Sequence, residues 1–153
     1  MTRMTVHYQP TLSEFGVSPQ DIHRETLVLY GTTGCGKTSL SKCLMEGYSS
    51  IHLDTRYLKQ CREVEQYLYD HLRKKNVIDI LKGTKKPKGV ICDNLEVFYQ
   101  YDKDTLKCMI DIGKKYSAVR VVMTVNASHY LKMRRVLQRQ VFQELWITRE
   151  FYQ

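Results

Sequence analysis

Residues 31–38 read Gly31-Thr32-Thr33-Gly34-Cys35-Gly36-Lys37-Thr38, a glycine-rich octapeptide closed by a lysine and a threonine. The spacing fits G-x-x-x-x-G-K-[ST] without a departure. Glycines at these places let the backbone curl so that successive N–H groups face one anion. Lys37 then reaches the β- and γ-phosphates of a nucleotide, and the Thr38 hydroxyl supplies a ligand for Mg2+. A helix opening at Lys37-Thr38-Ser39-Leu40 and running to about Met45 points its positive end at the same phosphates. The apolar run Leu27-Val28-Leu29-Tyr30 just upstream supplies the strand that such a loop must follow. Strand, loop and helix in that order predict a nucleoside triphosphate site built from residues 31–39, with Ser39 as its last member.

Outward from this loop, short apolar runs alternate with helical stripes. Strands are expected at 50–53, 89–92, 119–125 and 145–147, and helices at 57–73, 104–115 and 131–137. Val64, Tyr67, Leu68 and Leu72 share one helical face, as do Leu106, Met109, Ile110 and Ile112. Strands alternating with helices imply βαβ units and a parallel sheet covered by helices, an α/β fold. Residues 1–25, polar and carrying Pro10 and Pro19, read as an irregular lead-in. Residues 26–153 read as a single P-loop NTPase domain, and no repeat is visible.

Composition narrows the setting. At 153 residues, with 42% hydrophobic and 26% charged residues, the chain fits one globular domain with an adequate core. No run of about 18 apolar residues suggests a membrane span, and the N-terminus has no apolar stretch of signal type. An intracellular setting is expected: cytoplasm, nucleus or a viral replication site. The five cysteines are odd in number and unpaired by any CxxC, which argues for a reducing compartment and against zinc. The five histidines show no metal-ligand spacing either, so no metal beyond Mg2+ is expected. Trp146, in a terminal strand, is expected in the core. Twenty-four Lys and Arg against 16 Asp and Glu leave a net charge of +8, an attractive field for polyanions, of which nucleic acid is the commonest. The cations cluster at Arg73-Lys74-Lys75, at Lys82 through Lys88, and at Lys132, Arg134, Arg135 and Arg139.

A phosphate loop needs an acidic residue at the end of a neighbouring strand, and Asp93, straight after Gly89-Val90-Ile91-Cys92, has that placement. A carboxylate there holds Mg2+ through its water shell. The next residue is Asn94, where many hydrolases of this kind carry a glutamate that activates water. An amide cannot act as a base, and Glu96 is expected on a different spoke of the chain. Asn126 ends the strand 119–125 and is placed to orient a water or touch the γ-phosphate, with Thr124 as its substitute.

Taken together these residues resemble the nucleotide-binding base of an AAA+ ATPase, and more narrowly the clamp-loader branch, replication factor C and its relatives. The resemblance implies that Asn126 is the sensor residue and that Tyr8 and Pro10, within Tyr8-Gln-Pro-Thr-Leu-Ser-Glu-Phe-Gly16, contact adenine. It implies that Arg139, within Val136-Leu-Gln-Arg-Gln-Val-Phe142, is an arginine finger reaching a neighbouring subunit's γ-phosphate. ATP with Mg2+ is the implied ligand, and the implied partners are DNA or a DNA-bound assembly and other subunits of an oligomer. The sequence departs from the family's pattern at Asn94 and at Gln138-Arg139-Gln140. It also ends after the last strand, so that no helical lid or collar is expected within it.

Three other readings stand beside this one. A small P-loop kinase would use Asp54 and Arg56 to place an acceptor, and Arg135 and Arg139 to neutralise the transferring phosphate. A viral packaging or helicase-type motor shares the order of loop, acidic strand end, polar strand end and arginine. A nucleotide-binding scaffold would keep binding and lose turnover through Asn94. No guanine-specific motif is evident, which favours ATP over GTP.

Overall fold

A computed structural model describes residues 11–53, 61–73, 86–101, 103–116, 118–137 and 142–147. Five strands alternate with helices: β1 (Thr26–Gly31), α1 (Lys37–Leu44), β2 (Ser49–Leu53), α2 (Cys61–Arg73), β3 (Lys88–Cys92), α3 (Leu95–Tyr101), α4 (Lys103–Lys115), β4 (Arg120–Asn126), α5 (Tyr130–Leu137) and β5 (Gln143–Trp146). All pairings are parallel and the order across the sheet is β2-β3-β4-β1-β5. The expected α/β architecture of a parallel sheet flanked by helices is the one observed.

Burial follows the two-residue period of the strands. Leu27, Leu29, Ile91 and Val122 face one side, where Leu40 and Leu44 of α1 cover them together with Phe15 and Val17 from the lead-in. Val28, Tyr30, Val90, Cys92, Val121, Met123 and Val125 face the other. There Leu68 of α2, Phe98 of α3, Met109 and Ile112 of α4, and Met133 and Leu137 of α5 close over them. Both faces are buried, which is why the strands read as unbroken apolar runs rather than alternating ones.

Helix α3 was not anticipated, because Leu95–Tyr101 is only seven residues long and shows less than two turns of pattern. Within the lead-in, Leu12–Phe15 and Pro19–Asp21 form short 3-10 turns. Trp146 differs from expectation: it stands at the end of an edge strand and is 46% exposed. One face of its ring stacks on Tyr30 at 5.1 Å between centroids, and the strand edge leaves the rest uncovered. Among the described residues no helix is long and apolar enough to cross a membrane.

The topology matters for the site. The chain leaves β1, crosses to the far edge at β2, and returns strand by strand until β4 lies against β1. In the β1–β4 register Gly31 pairs with Asn126, so the loop after β1 and the tip of β4 stand side by side. In the adjoining registers Leu53 pairs with Cys92 and Cys92 with Met123. The carboxyl ends of four strands therefore converge where the chain changes direction across the sheet, the usual location of a ligand site in an open α/β sheet.

Candidate nucleotide site

The loop from Gly31 to Lys37 joins β1 to α1. Gly34 and Gly36 adopt φ values of 80° and 95°, the left-handed region that glycine enters without strain. Gly31 is small for another reason: a Cβ there would run into the Cys35 sulfur and close to 3.4 Å on Ile147. Cys35 is buried, its thiol filling the space under Gly31. The Lys37 ammonium donates to the Gly31 and Thr32 carbonyls, each at 2.9 Å, so it stands inside the curl of the loop. Thr32, Thr33, Gly34, Thr38 and Ser39 are exposed around it.

Asp93 lies at the centre of the polar cluster and is only 6% exposed. Its Oδ1 accepts from the Thr124 hydroxyl at 3.0 Å, and its Oδ2 accepts from the Thr38 hydroxyl at 3.3 Å. His52 Nε2, from β2, also contacts Oδ2. The Asp93 backbone N–H donates to Leu53 O at 2.9 Å, tying β3 to β2 at the same level. The residue that caps α3 is Asn94. That residue's carbonyl accepts from the amides of Val97 and Phe98. Asn94 has φ 60°, a conformation asparagine tolerates better than most side chains, and its N–H donates to Thr124 Oγ1 at 2.9 Å. Thr124 thus gives its proton to Asp93 and takes one from Asn94, fixing the turn between β3 and α3.

Asn126 sits between the two halves. Its Nδ2 donates to Thr33 Oγ1 at 2.8 Å, while its Oδ1 accepts from Ser128 N at 3.1 Å and Ser128 Oγ at 3.0 Å. The tip of β4 is therefore bonded to the loop of β1. Glu96, expected nearby but on a different spoke of the chain, meets the β4 tip: its Oε1 accepts the Asn126 N–H at 3.4 Å. Its Oε2 is buried without a hydrogen-bond partner among the described residues. Glu96 thus braces the β4 tip from beneath.

Burial, reinforced by the charges of Asp93 and Glu96, pushes the adjacent Cys92 thiol far above its ordinary value, so it stays protonated. Tyr30, the last side chain before the loop, has its phenol pushed up first by burial and then by Glu144.

Of the sequence-predicted residues, Gly31, Thr32, Thr33, Gly34, Cys35, Gly36, Lys37, Thr38, Ser39, Asp93 and Asn126 converge here. Tyr8, Pro10, Arg139 and the acceptor pair Asp54 and Arg56 lie outside the described residues. Sequence reading passed over His52 because a histidine inside a strand carries no local signal. Only the β2–β3 pairing brings it to Asp93.

The donor set suits a magnesium nucleotide. Mg2+ is a hard cation that binds through one or two carboxylates, a hydroxyl, waters and substrate phosphates rather than a dedicated protein cage. Thr38 and Asp93 offer just such a partial set. No group of three or more His, Cys, Asp or Glu side chains placed to hold a metal occurs among the described residues.

No protein-family model and no curated protein matches this sequence. Among solved structures, the chain is similar to PCH-2 of C. elegans, at 24% identity and a TM-score of 0.49, over 88% of this chain and 39% of that one. It is also similar to the AAA domain of FIGL-1 in complex with ADP, at 14% identity and a TM-score of 0.58, over 80% of this chain and 42% of that one. This chain spans less than half the length of either. The likeness to the AAA domain, together with the parallel sheet, assigns the fold: an α/β fold of the P-loop NTPase type.

Proposed function

We propose that this chain binds ATP with Mg2+ as an AAA+ type domain and works as an ATPase or nucleotide-gated subunit of a DNA-replication, clamp-loader-like assembly. The observation that carries the proposal is the hydrogen bond from Asn126 to Thr33 across β4 and β1. It joins a polar side chain at the tip of β4 to the loop that follows β1. In the proposed reading such a group senses whether a γ-phosphate is present. In this reading Lys37 contacts the β- and γ-phosphates, Thr38 and Asp93 hold the metal and its water shell, and Asn126 reports the phosphate to α5 through the Ser128 turn. Arg139 acts on a neighbouring subunit's nucleotide. The DNA part rests on charge: Lys103, Lys107, Lys114, Lys115, Lys132, Arg134 and Arg135 are exposed on α4 and α5, and cations so gathered attract a polyanion.

A second reading has a specific observation behind it. Asn94 occupies the place of a water-activating glutamate, and its backbone is committed to the turn into α3. A scaffold that binds nucleotide and does not turn it over fits that substitution. Steady-state ATP turnover, measured with and without primed DNA beside Lys37→Ala, separates the two. Turnover that rises with DNA and disappears in Lys37→Ala is the expected result. Tight binding without turnover selects the scaffold, and phosphate delivered to a small acceptor would replace both with the kinase reading.

A further inference from the structure

We propose that His52 is a positioning residue for the Mg2+ site, holding the Asp93 carboxylate in the orientation the metal requires. The inference rests on the nucleotide-binding reading above. Asp93 receives three donors from three elements: Thr124 on β4 at 3.0 Å, Thr38 on α1 at 3.3 Å, and His52 on β2. An ionised carboxylate only accepts hydrogen bonds and offers about four lone-pair positions, so three donors leave it little freedom to turn.

These donors are not equivalent once nucleotide and metal arrive. Thr38 is the phosphate-loop hydroxyl whose oxygen is the expected metal ligand, so its orientation is then set by the cation as well as by Asp93. Thr124 and His52 remain as supports that serve only the carboxylate. They grip opposite oxygens, Thr124 on Oδ1 and His52 on Oδ2, one from each strand flanking β3. Removing either support lets the carboxylate rotate about its χ2 axis.

Strand pairing sets His52 beside Asp93. β2 and β3 pair so that His52 lies beside Ile91 and Leu53 beside Cys92, and the Asp93 N–H continues the ladder to Leu53 O. The ring is partly exposed, with 33% of its side-chain surface accessible against 9% for Asp93. It therefore sits at the mouth of the cluster with its nitrogen directed inward. Partners that orient a metal-ligating group typically contribute about ten- to a hundredfold in metal affinity.

The test is a fluorescent ATP analogue titrated against the whole chain, in EDTA and across Mg2+ concentrations, for the wild type, His52→Ala and His52→Gln. A positioning role predicts that His52→Ala raises the Mg2+ concentration needed for half-maximal tight binding by about tenfold. The metal-free affinity should stay within about twofold, because Lys37 and the loop are untouched. His52→Gln, which keeps an N–H donor on a side chain of similar reach, should recover most of the loss. Repeating the titration with Mn2+ should show an equal loss, since an orienting group acts on either cation alike. An unchanged Mg2+ midpoint in His52→Ala overturns the inference, as does an equal loss in EDTA. A loss confined to Mn2+ overturns it too, because an orienting group would act on either cation alike. A wild-type chain that binds no nucleotide in any condition overturns both this inference and the function beneath it. The variant comparison alone leaves that function standing.

Discussion

Thr124 shows how much a single hydroxyl can carry. It is 1% exposed, donates to Asp93 Oδ1 at 3.0 Å and accepts from Asn94 N at 2.9 Å. Thr124→Val keeps the shape and removes both bonds, stranding a buried carboxylate oxygen and a backbone donor. Each unmet group costs about 1–3 kcal/mol. The variant should therefore unfold at lower denaturant, with Thr124→Ser close to wild type; equal midpoints for Val and wild type would contradict this. Tyr30 is the converse case, since its hydroxyl is buried with no hydrogen-bond partner among the described residues. Tyr30→Phe removes that unmet group at little cost in volume and should leave stability unchanged or raised. The pH dependence has a definite sign. Burial raises the folded-state pKa of Tyr30 above its ordinary 10.0. The neutral phenol thus adds stability that is fully present below pH 10 and is lost as pH climbs beyond it, because the unfolded chain releases the proton first. Urea titrations above pH 10 should show a shallower decline in Tyr30→Phe than in the wild type.

At the scale of elements, the sheet is pinned at the end away from the site by Arg120 at the start of β4. Its guanidinium donates to Glu25 Oε2 at 2.9 Å, to Glu25 Oε1 at 3.2 Å and to the last carbonyl of α1, Leu44 O, at 2.7 Å. It also lies over the Tyr48 ring at 4.5 Å. One side chain therefore joins β4, the approach to β1, and both ends of the α1–β2 turn. Arg120→Ala should cost about 2 kcal/mol in chemical unfolding, and Arg120→Lys should recover only part, since an ammonium cannot reproduce the planar fork. A loss below about 0.5 kcal/mol would mean this surface pair contributes little, as most do. Such long-range ties mark where sequence reading stops. The strands around Leu27–Tyr30, Val90–Cys92 and Val121–Val125 were legible because burial on both faces makes them plain apolar runs. The loop at Gly31–Thr38 was legible because its chemistry is local. By contrast, His52 and Glu96 acquire meaning only through β2–β3 pairing and the α3–β4 approach, which no spacing encodes. Trp146 was misjudged because an apolar strand residue reads alike in the centre of a sheet and at its edge.

For the whole molecule, one arrangement links charge and site. α1 and the lead-in cover one face of the sheet. α2, α3, α4 and α5 cover the other, and the exposed lysines and arginines of α4 and α5 gather on that second face. Lys103 and Lys132 both stand over the Tyr99 ring, at 5.2 and 5.3 Å, joining the starts of α4 and α5 close to the β4 tip. A polyanion drawn to this layer would approach beside Asn126, and a nucleotide-dependent change at Asn126 would reach α5 through the Ser128 turn. This gives the proposed nucleotide gating a physical route, and everything in it depends on nucleotide entering the loop. The most direct test is equilibrium binding of ATP to the purified chain, by calorimetry in the presence of Mg2+, beside Lys37→Ala. Removing a charged phosphate donor costs about 2 kcal/mol or more, hence more than about tenfold in affinity. Saturable binding of one ATP per chain, weakened by at least that factor in Lys37→Ala, is the predicted result. No binding by the wild type, or equal binding by wild type and Lys37→Ala, would contradict the account at its base.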